Sequence, residues 1–260
     1  MIPAGFAGVE AQLWLWMVAM IRPGAAFLAA PVFGASFVPV QLRLVIALAI
    51  GIPALAATNF QLPAGGLATI EGVMLVGGEV MAGVAIGFAV QIGFSAALLA
   101  GETISNAMGL GFAGMVDPAS GQQNPMLGQF LSILATFLFL AIGGHLALAA
   151  TIVESYRALP PGDAWLSAES IRGLVLFGGV LFAAGLSIAL PVGFALILVQ
   201  LVMGMLARSA PQLNLFSVGL PAALLAGIVL LAIAAPVIGE GIIAVLQQGL
   251  EESRRIALGG

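Results

Sequence analysis

Long apolar segments dominate this sequence and restrict what it can fold into. About six of them are long enough to cross roughly 30 Å of hydrocarbon as helices, at about residues 11–31, 40–58, 70–100, 128–153, 173–206 and 217–247. The chain is 62% hydrophobic and 7% charged, with a mean hydropathy of +1.19. A soluble domain carries about 25% charged residues. The sequence therefore predicts an all-α integral membrane protein of about six kinked hydrophobic helices, forming a single membrane domain over residues 1–260.

Prolines and glycines inside these segments indicate bent, closely packed helices. Pro191 interrupts the fifth segment and Pro236 the sixth, and proline is the usual cause of a sharp helix kink. In the third segment, Gly83 and Gly87 have a four-residue spacing that lets two backbones approach closely. We expect this helix to pack against another helix and not only against lipid. The sixth segment repeats the spacing at Gly219, Ala223 and Gly227.

The pair Arg22-Pro23 lies within the first apolar segment. A charge next to a helix breaker implies either the end of the span or a buried partner for the charge. Two arrangements therefore remain open: a continuous helix, or a helix that ends near Arg22 and is followed by a short piece to Val32.

Carboxylates lie in or beside the apolar segments, where a charge is costly. One explanation is transport of protons or cations by Glu79 and Glu102. The other is that Glu71 and Glu102 cap the third segment while Glu79 faces a helix interface or a water-filled space. Basic partners in matching number are missing, which weakens the proton-relay explanation. The full set is Glu71, Glu79, Glu102 and Glu240.

The single histidine, His145, follows Gly143-Gly144 in the fourth segment. It either titrates near neutral pH or makes one interhelical hydrogen bond. The chain has no cysteine, and the sequence carries no hydrolase elbow, zinc-protease motif or phosphate loop. We therefore expect no enzyme activity, no metal and no cofactor, although an intramembrane protease that pairs a serine with His145 stays conceivable.

The net charge of −4 comes from seven basic and eleven acidic residues, and none of the basic residues is lysine. Nucleic-acid binding needs a basic patch. The composition therefore predicts no nucleic-acid partner.

The longest polar, Gly/Pro-broken interruption runs from Gly101 to Pro125. Its glycines free the backbone to leave helical geometry, while its leucine, phenylalanine and methionine side chains give it a deformable apolar surface. Two interpretations are open, an ordinary connection between helices and a gate or gasket between them. The residues in question are Gly109, Leu110, Gly111, Phe112, Gly114, Met115, Asp117 and Pro118.

A second polar break, residues 208–216, joins the last two segments into a hairpin. We expect Gln212 and Asn214 to fix its turn through bonds from side chain to backbone. Arg208 and Pro211 lie at the start of the same turn.

Four stretches, in this order, resemble the FliR/SctT family of type III export-apparatus proteins, which includes flagellar FliR proteins and their injectisome counterparts. The similarity extends over about residues 10–250. The stretches are Pro39–Ala49 with Arg43; Gly101-Glu102 with Gly109 and Asp117-Pro118; Phe139–His145 leading to Ser155–Pro160; and Arg208–Pro221.

The resemblance implies a structural, pore-forming subunit of the flagellar protein export gate in the bacterial inner membrane, at the flagellar basal body. It implies assembly with FliP and FliQ homologues, FlhB and FlhA nearby, contact with membrane lipid, and passage of unfolded export substrates. It also implies a FliP-like part over about residues 1–172 and a FliQ-like hairpin over about 173–250. About Gly109 to Gln123 would be the pore plug, with Glu102 at its helical root. Since much of such a complex stands above the membrane plane, the apolar segments need not all be ordinary spans.

Two alternatives accompany this interpretation. One is the equivalent subunit of a virulence injectisome. The other is a small proton-coupled secondary transporter that uses Glu79 and Glu102. Transporters usually carry internal repeats around a midplane binding site, and the sequence has no convincing repeat.

Overall fold

The computed structural model describes residues 7–58, 60–63, 66–110, 126–209 and 219–260. These ranges contain helices and connections but no strand, which confirms the predicted all-α fold. The helices are α1 (Ala7–Ala29), α2 (Val40–Ala56), α3 (Ile70–Ala107), α4 (Met126–Ala141), α5 (Gly144–Ala158), α6 (Ala168–Ser209) and α7 (Leu220–Ala257).

The structure decides between the two alternatives at Arg22-Pro23 and contradicts one predicted helix. Helix α1 runs through Pro23 without a break, so the continuous alternative at Arg22-Pro23 is correct. The prediction of one helix over 128–153 is wrong, because α4 and α5 meet at a bend of 66°. Gly143 lies between them with a φ of +72°, a left-handed conformation that glycine adopts without steric cost.

The helices make this a multi-pass membrane protein. Among the described residues, α1, α3, α6 and α7 are long and apolar enough to cross a membrane, and the bent pair of α4 and α5 would be a fifth span. Helix α2, at 17 residues, is shorter. The 38 residues of α3 correspond to about 57 Å of helix. That exceeds the ~30 Å of a hydrocarbon core, so such a helix must tilt or extend beyond it.

The chain divides into two compact units. The described residues of the first unit come from Met1–Ile92, Gly143–Gly178 and Gln247–Gly260. In this unit α2 returns along α1 at very close range, since a Cβ on Gly51 would overlap the carbonyl of Ala19. Helix α3 also packs on α1, where a Cβ on Gly83 or Gly87 would overlap the carbonyls of Arg22 or Ala26. The predicted helix neighbour of the Gly83/Gly87 face is therefore confirmed.

The second unit consists of Gly93–Ile142 and Gly179–Leu246, again as far as these residues are described. Glycines also bring its helices together, because a Cβ on Gly101 of α3 would overlap the start of α4 at Leu127 and Gly128. Between α3 and α4, the rings of Phe94 and Phe139 lie edge to face with their centroids 5.3 Å apart. The unit is thus a set of closely crossed helix segments with an aromatic contact inside it.

Candidate functional site

A buried ion pair lies at the centre of the first unit. Arg22 of α1 and Glu79 of α3 are both 0% exposed. The Nε of Arg22 donates to Oε2 of Glu79 at 3.0 Å, and its Nη2 donates to Oε1 at 2.7 Å. The pair is bidentate, the geometry in which a guanidinium and a carboxylate interact most strongly. Both carboxylate oxygens of Glu79 are engaged.

Arg22 also binds the end of helix α5. Its Nη1 donates to the hydroxyl oxygen of Ser155 at 3.0 Å, and its Nη2 donates to the carbonyl of Leu159 at 2.8 Å. Leu159 is the first residue after α5, and carbonyls at the end of a helix have no donor partner inside the helix. One guanidinium therefore connects α1, α3 and α5.

Tyr156 completes the cluster through Pro23. A proline has no N–H to donate to the carbonyl four residues earlier, which here is that of Ala19. The hydroxyl of Tyr156 donates to this carbonyl at 3.0 Å. The ring of the same tyrosine lies 4.2 Å from the Arg22 guanidinium carbon, a cation–π contact. Tyr156 thus satisfies the carbonyl that Pro23 leaves free and packs against the charge.

This cluster holds α1, α3 and α5 together and pairs the charge of Glu79 with that of Arg22. The sequence indicated for Arg22 either the end of a span or a buried partner, and it indicated that Glu79 is costly in a membrane; the structure brings the two together. Sequence reasoning did not pick out Ser155 or Tyr156 as their partners. The only signal for them was their place in the Ser155–Pro160 stretch of the family resemblance.

In the second unit, α3 continues to Ala107, so the first residues of the predicted interruption from Gly101 to Pro125 are helical. Gly109 has a φ of +83°, and its amide donates to the carbonyl of Asn106 at 3.0 Å. The amide of Leu110 donates to the carbonyl of Ser105 at 3.1 Å. This pair of bonds around a left-handed glycine is a Schellman cap. Gly109 therefore terminates the helix, in agreement with the prediction that glycines free the backbone of this stretch to leave helical geometry.

The other predicted polar residues are spread over the fold. Glu102 is partly buried, and its Cγ lies beside the start of α4, 3.0 Å from where a Cβ on Gly128 would be. Glu102 belongs to the second unit and Glu79 to the first. The Nδ1 of His145 is buried and has no hydrogen-bond partner among the described residues. Arg208 lies in the last turn of α6. Glu71 and Glu240 are exposed.

Several predicted residues lie outside the described residues. For the central stretch these are Gly111, Phe112, Gly114, Met115, Asp117 and Pro118. For the hairpin turn they are Pro211, Gln212 and Asn214. Their roles stay predictions.

No metal site stands out in the part of the chain that the structure describes. No cluster of three or more His, Asp or Glu residues occurs there. An open cavity of about 680 Å³ lies in the first unit, lined among others by Phe60, Ile70, Glu71 and Pro160. Its walls are the residues after α2, the start of α3 and the connection after α5. It therefore lies at helix ends.

The family model of bacterial export proteins, family 1, matches residues 13–249 of the chain. The chain belongs to this family. It is 36% identical over 229 residues to flagellar biosynthetic protein FliR of Escherichia coli (strain K12), covering 87% of this chain and 85% of that protein. FliR of Bacillus subtilis (strain 168) is 27% identical over 226 residues, or 86% of each protein. Surface presentation of antigens protein SpaR of Shigella flexneri is 29% identical over 142 residues, or 55% of each.

The resemblance to the FliR family is therefore confirmed. The region that matches bacterial export protein family 1 includes Arg22, Glu79 and Tyr156 as well as the end of α3. Both geometric features described above thus belong to the part of the chain shared with this export family.

Replacing Glu79 tests the importance of the ion pair. Glu79→Gln keeps the shape of the side chain but leaves the buried guanidinium without a counter-charge, so we expect the free energy of unfolding to fall by about 3–5 kcal/mol. The matched control is Glu154→Gln, whose partner Arg254 lies at 3.2 Å in an exposed pair and which should cost at most about 1 kcal/mol. Denaturant unfolding in detergent micelles, followed by circular dichroism, measures both. Equal losses for the two variants would contradict the importance assigned to Glu79.

Proposed function

We propose that this chain is a structural, pore-forming subunit of the flagellar type III protein export gate. The observation that carries the proposal is the similarity to FliR proteins along most of both chains, at 36% identity for the Escherichia coli protein. In this role the chain resides in the bacterial inner membrane at the flagellar basal body. It assembles with FliP and FliQ homologues, with FlhB and FlhA nearby, and unfolded flagellar proteins pass through the assembly.

The last two helices favour a role in an assembly. Each of these helices contains an apolar 18-residue segment. Only 22% of that segment in α6 and 17% in α7 is buried inside the chain, compared with 56% in α3. Large side chains such as Phe182, Phe194 and Ile233 are more than half exposed. Exposed apolar faces of this extent need lipid or other subunits to cover them.

Glycines on these helices leave room for a partner. A Cβ added to Gly193 or Gly204 of α6, or to Gly239 of α7, would meet nothing within 4 Å. Glycines of α3 such as Gly83, Gly87 and Gly101, by contrast, lie directly against neighbouring helices. The open positions suit the close approach of a helix from another subunit, as in a FliQ-like hairpin over about residues 173–250 next to a FliP-like part over about 1–172.

The geometry favours this proposal over a proton-coupled transporter. Both oxygens of Glu79 bind Arg22, so the charge of this carboxylate is already paired. Transporters usually carry internal repeats around their binding site, and the sequence has no convincing repeat. In the proposed role the chain is not an enzyme, and other subunits use the proton-motive force.

The flagellar system is favoured over a virulence injectisome. The match to SpaR covers 55% of each chain, whereas the match to Escherichia coli FliR covers 87% of this chain. We therefore assign the chain to flagellar export and keep the injectisome as the second candidate.

Co-purification tests the assembly. The chain, tagged and extracted from native membranes in mild detergent, is expected to elute with FliP and FliQ homologues as one complex. The subunits identified by mass spectrometry then distinguish flagellar from injectisome partners. A monomer that binds a small solute would contradict the proposal and support the transporter.

The plug assignment is tested separately. In the proposed role, the stretch from about Gly109 to Gln123 closes the resting pore, with Phe112 and Met115 as its apolar seal. We expect that deleting residues 110–120, or replacing both Phe112 and Met115 by serine, increases ion leak across the membrane. Replacing the polar Gln122 and Gln123 of the same stretch by serine is the control and should leak like the unmodified protein. Leak at that same level after the deletion would remove the plug assignment.

A further inference from the structure

The carbonyl groups at the end of α3 each have a separate donor. The last four carbonyls of a helix lack partners inside the helix. The cap at Gly109 and Leu110 provides donors for two of them, and the amide of Met108 donates to the carbonyl of Ile104 at 2.9 Å. The carbonyl of Ala107, the last helical residue, still needs a donor.

Gln200 of α6 is that donor. Its Nε2 donates to the carbonyl oxygen of Ala107 at 2.7 Å. Gln200 is itself exposed, beside exposed apolar side chains such as those of Ile197 and Leu201. In contact with lipid or with an apolar partner, its amide is costly unless it is hydrogen-bonded. The bond therefore satisfies a polar group on each helix and connects α6 to the end of α3.

Met108 connects the same point to α7. Its side chain is 3% exposed and packs against Gly227, where an added Cβ would lie 2.6 Å from its Cγ and Cε. This is closer than real side chains come, so any larger residue at 227 would displace Met108. The contact explains the small residue at position 227 of the predicted Gly219/Ala223/Gly227 face.

We infer that Gln200 and Gly227 are positioning residues that fix the end of α3, and with it the direction in which the chain leaves the helix at Gly109. The fixed end is the root of the stretch assigned above to closing the pore. The consequence for pore closure rests on the proposed function, whereas the positioning itself rests on the hydrogen bond to Ala107 and the contact between Met108 and Gly227.

The absence of cysteine allows a direct test of this positioning. Leu110→Cys introduces a single thiol next to the helix end, at a residue that is partly buried. In native membranes, the rate of its reaction with a maleimide reports how often this end moves away from its packed position. Ion leak in the same membranes reports the consequence.

Each positioning residue has a matched control. Gln200→Leu removes the donor but keeps an apolar side chain, and Gln248→Leu makes the same change at an exposed glutamine of α7. Gly227→Ala places a methyl group against Met108, whereas Gly24→Ala in α1 places one no closer than 4.0 Å to its nearest neighbouring atom, the Cβ of Ala47. The amount of folded protein after size-exclusion chromatography should be alike in all four variants.

We expect labelling of Leu110→Cys to become about fivefold faster with Gln200→Leu, because one hydrogen bond is lost. Labelling should also become faster with Gly227→Ala, because the added methyl group displaces Met108. Both controls should label like the unmodified background. Ion leak should rise in the same two variants. Gln200→Lys keeps a hydrogen-bond donor at this position, so its labelling should be as slow as that of the unmodified background.

The outcomes separate this inference from the plug assignment. Labelling rates equal to those of the controls would overturn the positioning role, even if deletion of residues 110–120 causes leak. Faster labelling without leak, in membranes where the deletion does leak, would overturn the consequence for pore closure. If the deletion causes no leak, the plug assignment fails, and the labelling rates still decide whether Gln200 and Gly227 hold the helix end.

Discussion

The ion pair of Arg22 and Glu79 is the constraint on which the first unit depends. Two fully buried charges are tolerable in a membrane protein only if each satisfies the other. Here the guanidinium donates to both carboxylate oxygens, to Ser155 and to the carbonyl of Leu159. Because these groups come from three helices, the charges find their partners only when α1, α3 and α5 are packed together. Tyr156 adds a second reason for the same arrangement, since it binds the carbonyl that Pro23 leaves free.

The second unit has a different kind of fixed point. Its helices approach at glycines, and the end of α3 is capped at Gly109 and bound by Gln200. We propose that this fixed helix end supports the stretch assigned to closing the pore. In the proposed export channel, that stretch has to seal against ions and still let a polypeptide pass. Methionine, an unbranched and adaptable side chain, suits that proposed requirement.

Much of the fold was predictable because it depends on local rules. The apolar segments indicated membrane helices, and the spacing of Gly83 and Gly87 indicated a close helix neighbour. The charge at Arg22 indicated either the end of a span or a buried partner, and the structure shows the partner. The identity of that partner was not predictable, because Glu79 and Ser155 are 57 and 133 positions away in sequence and only packing brings them together. The bend at Gly143 and the bond from Gln200 to Ala107 likewise depend on how helices meet. The family resemblance rested on the order of four motifs, and it therefore needed no knowledge of these contacts.

The central claim is that Arg22 and Glu79 stabilise the protein as one unit. A double-mutant cycle tests it most directly, with Arg22→Met, Glu79→Met and the double variant compared by their free energies of unfolding in detergent. Each single variant leaves one buried charge unpaired, whereas the double variant leaves none. We therefore predict that the double variant is more stable than either single variant. A double variant whose loss equals the sum of the two single losses would contradict the account.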